Sequence, residues 1–267
     1  MNTENRPDYK NWMPKGMVMG TAAGAAGCFG LAAICGCTDL IQNRKWKTSA
    51  NAVFLLSGAA AAAAALWMAM LYRAFSYDGS RQMSRQIIEG IAAMVSLPEN
   101  GVGLDVGCGS GALTIACARG NRQGRFVGID RWGKEYASFN QLLCEANARA
   151  EGVSNVEFRQ GDAVKLDFPD ECFDAVTSNY VYHNIPSLDR QEILLETLRV
   201  LKKGGTFAIH DIFSKAKCGD MEAFAEKLRR MGYRKVELID TTNGIFMSPH
   251  EAQWMGLSGS ALLVGKK

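Results

Sequence analysis

Hydrophobic positions are laid out in two different ways along this chain. Over roughly the first hundred residues they form two long runs. Gly16 to Leu40 holds no charge before Asp39, and Ala50 to Leu71 holds none at all. A helix needs about 20 apolar residues to cross the hydrocarbon core of a bilayer, so each run predicts a membrane-spanning helix. The flanks are polar and basic. Met1 to Lys15 carries Arg6, Lys10 and Lys15, Gln42 to Thr48 carries Arg44, Lys45 and Lys47, and Arg73, Arg81 and Arg85 follow the second run. Trp67 and Tyr72 stand near its end, where amphipathic rings favour the interface. The pattern predicts an N-terminal segment over 1–15 and a two-helix transmembrane hairpin over 16–73. Both ends of a hairpin face one side. Six basic residues flank that side and three lie in the loop, which puts both termini in the cytoplasm and the protein in the cell membrane as a multi-pass chain.

Gly16, Gly20 and Gly24 recur every fourth residue, giving one helix face on which a neighbour can approach closely. That neighbour is the second helix or another copy of the chain, so a homo-oligomer is a candidate assembly. Two other readings of the runs stand beside the hairpin. The first run has the basic start and apolar middle of a signal peptide, without a clear small-x-small cleavage site before a polar region. The second has the composition of a soluble alanine-rich helix.

Beyond residue 73 the period shortens. Gln82 to Val95 places Met83, Ile87, Ile91, Met94 and Val95 at helical spacing, and Leu97 to Gly101 breaks the helix. This makes 74–100 a linker that carries a helix, and 101–267 a separate domain. There, short apolar runs predict strands at Val102 to Val106, Arg125 to Ile129, Val156 to Arg159, Cys172 to Asn179, Thr206 to Ile209, Val236 to Ile239 and Ala261 to Val264. Helices are predicted at Ala112 to Arg119, Trp132 to Glu151, Leu188 to Leu201 and Met221 to Met231. The alternation implies an α/β fold: a doubly wound, mostly parallel seven-stranded sheet with helices on both faces. Thr241 to Ser260 joins the last two strands without a predicted helix, which suits a reversed final strand.

The charge balance of +3 is too mild for a dedicated nucleic-acid binder. None of the eight cysteines forms a C-x-x-C pair, and His183, His210 and His250 are the only imidazoles, so no metal site is predicted. Reduced, mostly buried cysteines are expected.

The chemistry gathers at Leu104-Asp105-Val106-Gly107-Cys108-Gly109-Ser110-Gly111-Ala112. This is a buried strand, a tight glycine turn and a helix start, which lets a ligand meet backbone N–H groups. Asp130 ends the next strand, nineteen positions past Gly111, where a carboxylate can accept bonds from both ribose hydroxyls. At these residues the chain resembles the class I S-adenosylmethionine-dependent methyltransferases. The resemblance runs from Asn100 to the end, leaves out the hairpin, and includes Arg199-Val200-Leu201-Lys202-Lys203-Gly204-Gly205 before strand five. It implies S-adenosylmethionine as cofactor, with Gly107, Gly109 and Gly111 around its methionyl part and Asp105 near its amino group. It also implies that the helix within 74–100 is a capping helix over the cofactor site, that Asp162 accepts from the adenine amino group and that the Ala163 N–H meets the ring. Asn179 ends strand four, which should lie beside the sulfonium methyl because ligands gather at the carboxyl ends of such strands. Trp132 packs near the adenine or ribose, or on the protein alone.

Methyl transfer from a sulfonium needs alignment above all, and a base only where the acceptor must lose a proton. His183 leads the candidates, with Tyr182 and His210 behind it. Positioning a substrate, or bonding to the backbone, is the other reading of His183. Tyr180-Val181-Tyr182-His183-Asn184-Ile185-Pro186 looks like the strand-four end of methyltransferases acting on quinone precursors and other small molecules, with Asn184 where a second histidine is common. The connection Thr241 to Ser260 carries Phe246, Met247, His250, Trp254 and Met255, either as an apolar entrance or packed on the sheet edge. The expected function is a membrane-anchored methyltransferase with a cytoplasmic catalytic domain, acting on a hydrophobic or lipid-like small molecule. Its alternatives are methylation of a membrane-associated protein, and a non-catalytic protein that binds S-adenosylmethionine.

Overall fold

The computed structural model describes residues 6–133, 138–186 and 189–267. It divides into two compact units, Asn11–Ser84, and Met1–Lys10 together with Arg85–Lys267.

The smaller unit is built on α1 (Lys15–Cys37) and α2 (Arg44–Phe75). The loop between them is shorter than the expected Gln42 to Thr48. Asn43 accepts from the backbone N–H groups of Lys45 and Trp46, and this cap starts the helix inside the basic stretch. On α1 the less exposed residues are Val18, Thr21, Ala25, Cys28, Ala32 and Cys35. They recur at alternating steps of three and four, the spacing of a seam between two helices. Across that seam Gly58 admits the Phe29 ring, which would lie 2.9 Å from a Cβ at that position. A Cβ added to Gly16, Gly20 or Gly24 would meet nothing within 4 Å among the described residues. The glycine face is therefore not the one used within the hairpin, because the alternating three-four seam lies on another side of α1. Away from the seam, large apolar side chains such as Leu31, Leu56 and Leu66 are exposed.

The larger unit carries a seven-stranded sheet in the order β3-β2-β1-β4-β5-β7-β6. Its strands are β1 (Val102–Val106), β2 (Arg125–Asp130), β3 (Val156–Gln160), β4 (Phe173–Asn179), β5 (Leu201–Ile212), β6 (Arg234–Asp240) and β7 (Ser260–Lys266). The first five run parallel, and β7 lies antiparallel between β5 and β6. The central strands are buried almost throughout, which their continuous apolar runs require. The helices are α3 (Met83–Ala92), which begins at the end of the smaller unit, α4 (Ala112–Gly120), α5 (Gln141–Ala150), α6 (Arg190–Arg199), the single turn α7 (Lys215–Cys218), α8 (Met221–Arg230) and α9 (Pro249–Met255).

Four elements depart from the sequence reading. The helix expected from Trp132 begins at Gln141, where Asn140 accepts from the N–H of Leu143. Trp132 itself has φ of 44°, which no right-handed helix accommodates, and residues 134–137 of that expected helix lie outside the described ones. The expected start at Leu188 also lies outside them, and α6 opens on an Asp189 cap. Strand five begins at Leu201 rather than Thr206. Its register with β4 jumps from Phe173↔Leu201 to Ala175↔Thr206, so Lys202 to Gly205 bulge outward. Gly204 has φ of 82°, and a Cβ on Gly205 would lie 2.6 Å from Leu201; the expected helix stop is a strand bulge. Finally, Ser248 and Glu251 form a reciprocal capping box that starts α9 inside the connection expected to lack a helix.

Candidate active site

The turn between β1 and α4 is pinned from behind. The N–H groups of Gly107 and Cys108 both donate to the Ile129 carbonyl, at 2.8 and 2.9 Å. Gly107, Gly109 and Gly111 all have positive φ, at 74°, 55° and 82°, which a side chain would strain. Their surroundings differ. A Cβ on Gly107 would lie 2.2 Å from Val181 and one on Gly111 would lie 3.0 Å from Phe158. On Gly109, nothing among the described residues stands within 4 Å. The middle glycine thus faces open space while its neighbours face protein.

Asp130 sits at the tip of β2 with one oxygen on this turn and the other on its own following loop. It accepts from the N–H of Gly109 at 2.9 Å and from the N–H of Trp132 at 2.8 Å. The Trp132 indole donates to the Gly109 carbonyl at 3.0 Å, which places the ring on the protein's own turn. Asp162 is exposed and accepts from the N–H of Val164 at 2.9 Å, while the Ala163 side chain is buried. Asp105 lies deeper than a direct meeting with a ligand's amino group would need. Its side chain is sealed behind the turn at 1% exposure. Thr114 donates to it at 2.6 Å and Thr177 at 3.1 Å. Burial pushes its carboxyl up to about 7, against the lowering effect of those two hydroxyls.

At the tips of β4 and β5 the buried Asp211 carboxylate organises the chain. It accepts from the backbone N–H groups of Val181 at 3.0 Å, Tyr182 at 2.6 Å and Ile212 at 2.7 Å. It also meets Nδ1 of His183 at 2.6 Å. An ionised carboxylate only accepts, so Nδ1 carries the proton and Nε2 is left with its lone pair. The His183 side chain remains 15% exposed. Tyr182 is a correction to the sequence reading. Its ring is fully buried and its hydroxyl pairs with Thr197 at 2.8 Å inside the core. Desolvation drives its phenol well above the usual range, so it cannot serve as a base at the site.

His210 is also buried. Its Nδ1 meets Asn179 at 2.8 Å and its Nε2 meets Thr241 at 2.9 Å. Desolvation lowers its imidazole to about 4, so it stays neutral and braces Asn179 at the end of β4. Tyr180, at φ of 55°, lays its ring 4.7 Å from His210 and 6.0 Å from His183, centre to centre. Its hydroxyl lies 2.9 Å from Ser260. Ser260 in turn donates to the Leu257 carbonyl, so Tyr180 is the donor of its own pair. Sequence reasoning found His183 but missed Asp211, which shows there only as a carboxylate at the end of an apolar strand; the bond that joins them crosses from the loop after β4 to β5.

Residues 98–252, more than half of the chain, match the family model described as a methyltransferase domain. The chain belongs to the methyltransferase domain family. Among curated proteins, this methyltransferase domain is similar to 27-O-demethylrifamycin SV methyltransferase of Amycolatopsis mediterranei. The two are 28% identical over 177 residues, covering 65% of this chain and 62% of that one. It is also similar to 2-phytyl-1,4-naphtoquinone methyltransferase of Thermosynechococcus vestitus, 35% identical over 133 residues and covering 49% and 55% of the two chains. The match thus spans less than two thirds of each of these relatives. The solved structure of the [4+2]-cyclase SpnF superposes with a TM-score of 0.54 at 22% identity, covering 72% of this chain and 84% of that one; that likeness shows the fold alone.

S-adenosylmethionine is the cofactor of this methyltransferase domain, and the residues present fit it. A group with a carboxylate, an ammonium and a ribose diol asks for free backbone N–H groups, room beside them and an acceptor carboxylate within reach. The open face of Gly109, the start of α4 and Asp130 supply those features in one place.

Proposed function

We propose that this protein is a membrane-anchored methyltransferase that acts on a hydrophobic or lipid-like small molecule bearing a proton to be removed, with His183 as the base. The observation that carries this reading is the 2.6 Å pair of His183 Nδ1 with a fully buried Asp211 that three backbone N–H groups hold in place. In this proposal the Gly107–Gly111 turn and Asp130 hold the donor, Asn179 stands at its reacting end, and Asp162 and the Ala163 N–H meet its adenine. Asp105 acts from behind the turn. Bound S-adenosylmethionine supplies a methyl carbon already activated by its sulfonium. What the chain adds is alignment and proton removal. Nε2 of His183 takes the acceptor's proton, and the Asp211 carboxylate stabilises the imidazolium so formed without taking the proton itself.

The naphtoquinone and rifamycin names of the relatives support an acceptor that is a hydrophobic small molecule. Membrane anchoring is supported by α1 and α2. At 23 and 32 residues they extend about 35 and 48 Å at 1.5 Å per residue. Only 11% and 6% of their most apolar windows are buried. In water such surface would be covered. The basic flanks favour a cytoplasmic domain.

The reading is tested by washing membranes with carbonate and then supplying methyl-labelled donor. The protein is expected to stay with the membranes and the label to enter the organic extract. Release into the wash would defeat the anchor, and label on polypeptide would replace the substrate class. For the donor site, Asp130→Ala is expected to weaken donor binding by about 100-fold, since it removes charge-assisted bonds and the brace on Gly109. Wild-type affinity in that variant, measured by calorimetry, would take Asp130 out of the site.

A further inference from the structure

The glycine turn is gripped from a second side by residues far away in sequence. Asn147, on α5, is buried at 2% exposure. Its Oδ1 accepts from the N–H of Asp8 at 2.7 Å. Its Nδ2 donates to the Asp8 carbonyl at 3.1 Å and to the Ser110 carbonyl at 2.9 Å. Ser110 stands between Gly109 and Gly111, and its hydroxyl donates to the Tyr9 carbonyl at 2.8 Å. Tyr9 and Ser110 are each 6% exposed. One amide side chain therefore ties the backbone of the N-terminal segment to the backbone of the turn, and a serine from the turn closes the loop of bonds.

We propose that Asp8 and Tyr9 form a strap that sets the donor affinity of the glycine turn, with Asn147 as the positioning residue that couples the two. The proposal rests on the reading of this turn as the donor site. A turn with three glycines at positive φ is the part of the site with the most conformational freedom to lose. Ordering each backbone position costs conformational entropy, and a site ordered beforehand spares the ligand that cost. The four bonds just described order the turn without touching its open face at Gly109. They are also not easily given up. Lifting the strap would break both Asn147 bonds to Asp8 and the Ser110 bond to Tyr9 together.

The strap bonds are made by backbone atoms of Asp8 and Tyr9, so a proline separates them from side-chain effects. The Asp8 side chain meets only Lys10 among the described hydrogen bonds. Asp8→Ala keeps the N–H that reaches Asn147, and Asp8→Pro removes it. In the full-length chain in detergent, Asp8→Pro is expected to bind S-adenosylmethionine about tenfold more weakly by calorimetry, and Asp8→Ala to bind as wild type. At saturating donor the turnover of Asp8→Pro is expected to match wild type, and amide exchange at Gly109 to Ala112 is expected to quicken. Ser110→Ala, which removes only the bond to Tyr9, should weaken binding severalfold. Equal affinity of Asp8→Pro and wild type, or equal losses in Asp8→Pro and Asp8→Ala, would overturn the strap; if Asp8→Pro does not fold, unchanged affinity in Ser110→Ala does the same. Failure of the wild type itself to bind the donor would instead overturn the reading of the turn.

Discussion

Asp211→Asn is expected to lower the rate of methyl transfer by about 10³-fold at saturating donor, the middle of the range for a lost general base. An asparagine fits the same space and can still accept from the N–H groups of Val181 and Tyr182. Its amide then turns N–H toward Nδ1 of His183. The imidazole must accept there, so its own proton moves to Nε2, the atom that has to receive the acceptor's proton. Donor affinity is expected to stay within about twofold, because Asp211 touches no part of the glycine turn. His183→Ala should lose a similar amount, and the double variant little more than either single one, since the pair acts as a unit. Transfer of label into a membrane extract measures all three. A loss of under about fivefold in Asp211→Asn would show that the acceptor needs no base.

The second large effect concerns pH and stability. Folding raises the Asp105 carboxyl from 3.8 to about 7, so the folded chain holds a proton that the unfolded chain releases. That contribution is complete at low pH and is lost as pH rises through 7; about 3 units correspond to about 4 kcal/mol. Folding lowers the His210 imidazole from 6.5 to about 4, which works in the other direction. Its contribution is present above 6.5 and is lost as pH falls through 4, about 3 kcal/mol in all. Between pH 4 and 6.5 the two slopes oppose each other in the wild type. Asp105→Asn should therefore become more stable as pH rises across that window, and His210→Gln less stable. Hydrogen exchange of the β1 and β4 amides reads both trends. Parallel pH profiles in the two variants would refute the assignment.

The fold was legible because the central strands carry their own apolar runs, the edge strands β3 and β6 alternate apolar with charged residues, and glycines or caps mark the turns between. The glycine turn, Asp130 and His183 were legible for a related reason: each stands in a local strand-end pattern. What the sequence hid was contact across strands. Asp211 looked like any strand-end carboxylate until β5 set it beside the loop after β4. Tyr182 and His183 are neighbours in the chain, yet one turns into the core and the other toward the strand tips, and a short helical turn at Tyr182–Asn184 decides which. The glycine face on α1 was visible as a spacing, but spacing alone does not say which face of a helix meets its partner. Asn147 sat unremarked in a polar helix because its partners, Asp8 and Ser110, are 139 and 37 positions away.

That last arrangement bears on how the molecule should be handled. Cutting away everything before Arg85 is the obvious route to a detergent-free sample, and it would discard Asp8 and Tyr9 with the apolar helices. Inhibitors ranked against such a fragment would be ranked against a looser donor loop. Joining the first ten residues to Arg85 through a glycine-serine tether, long enough to act as a flexible coil, would keep the preparation soluble and the loop braced.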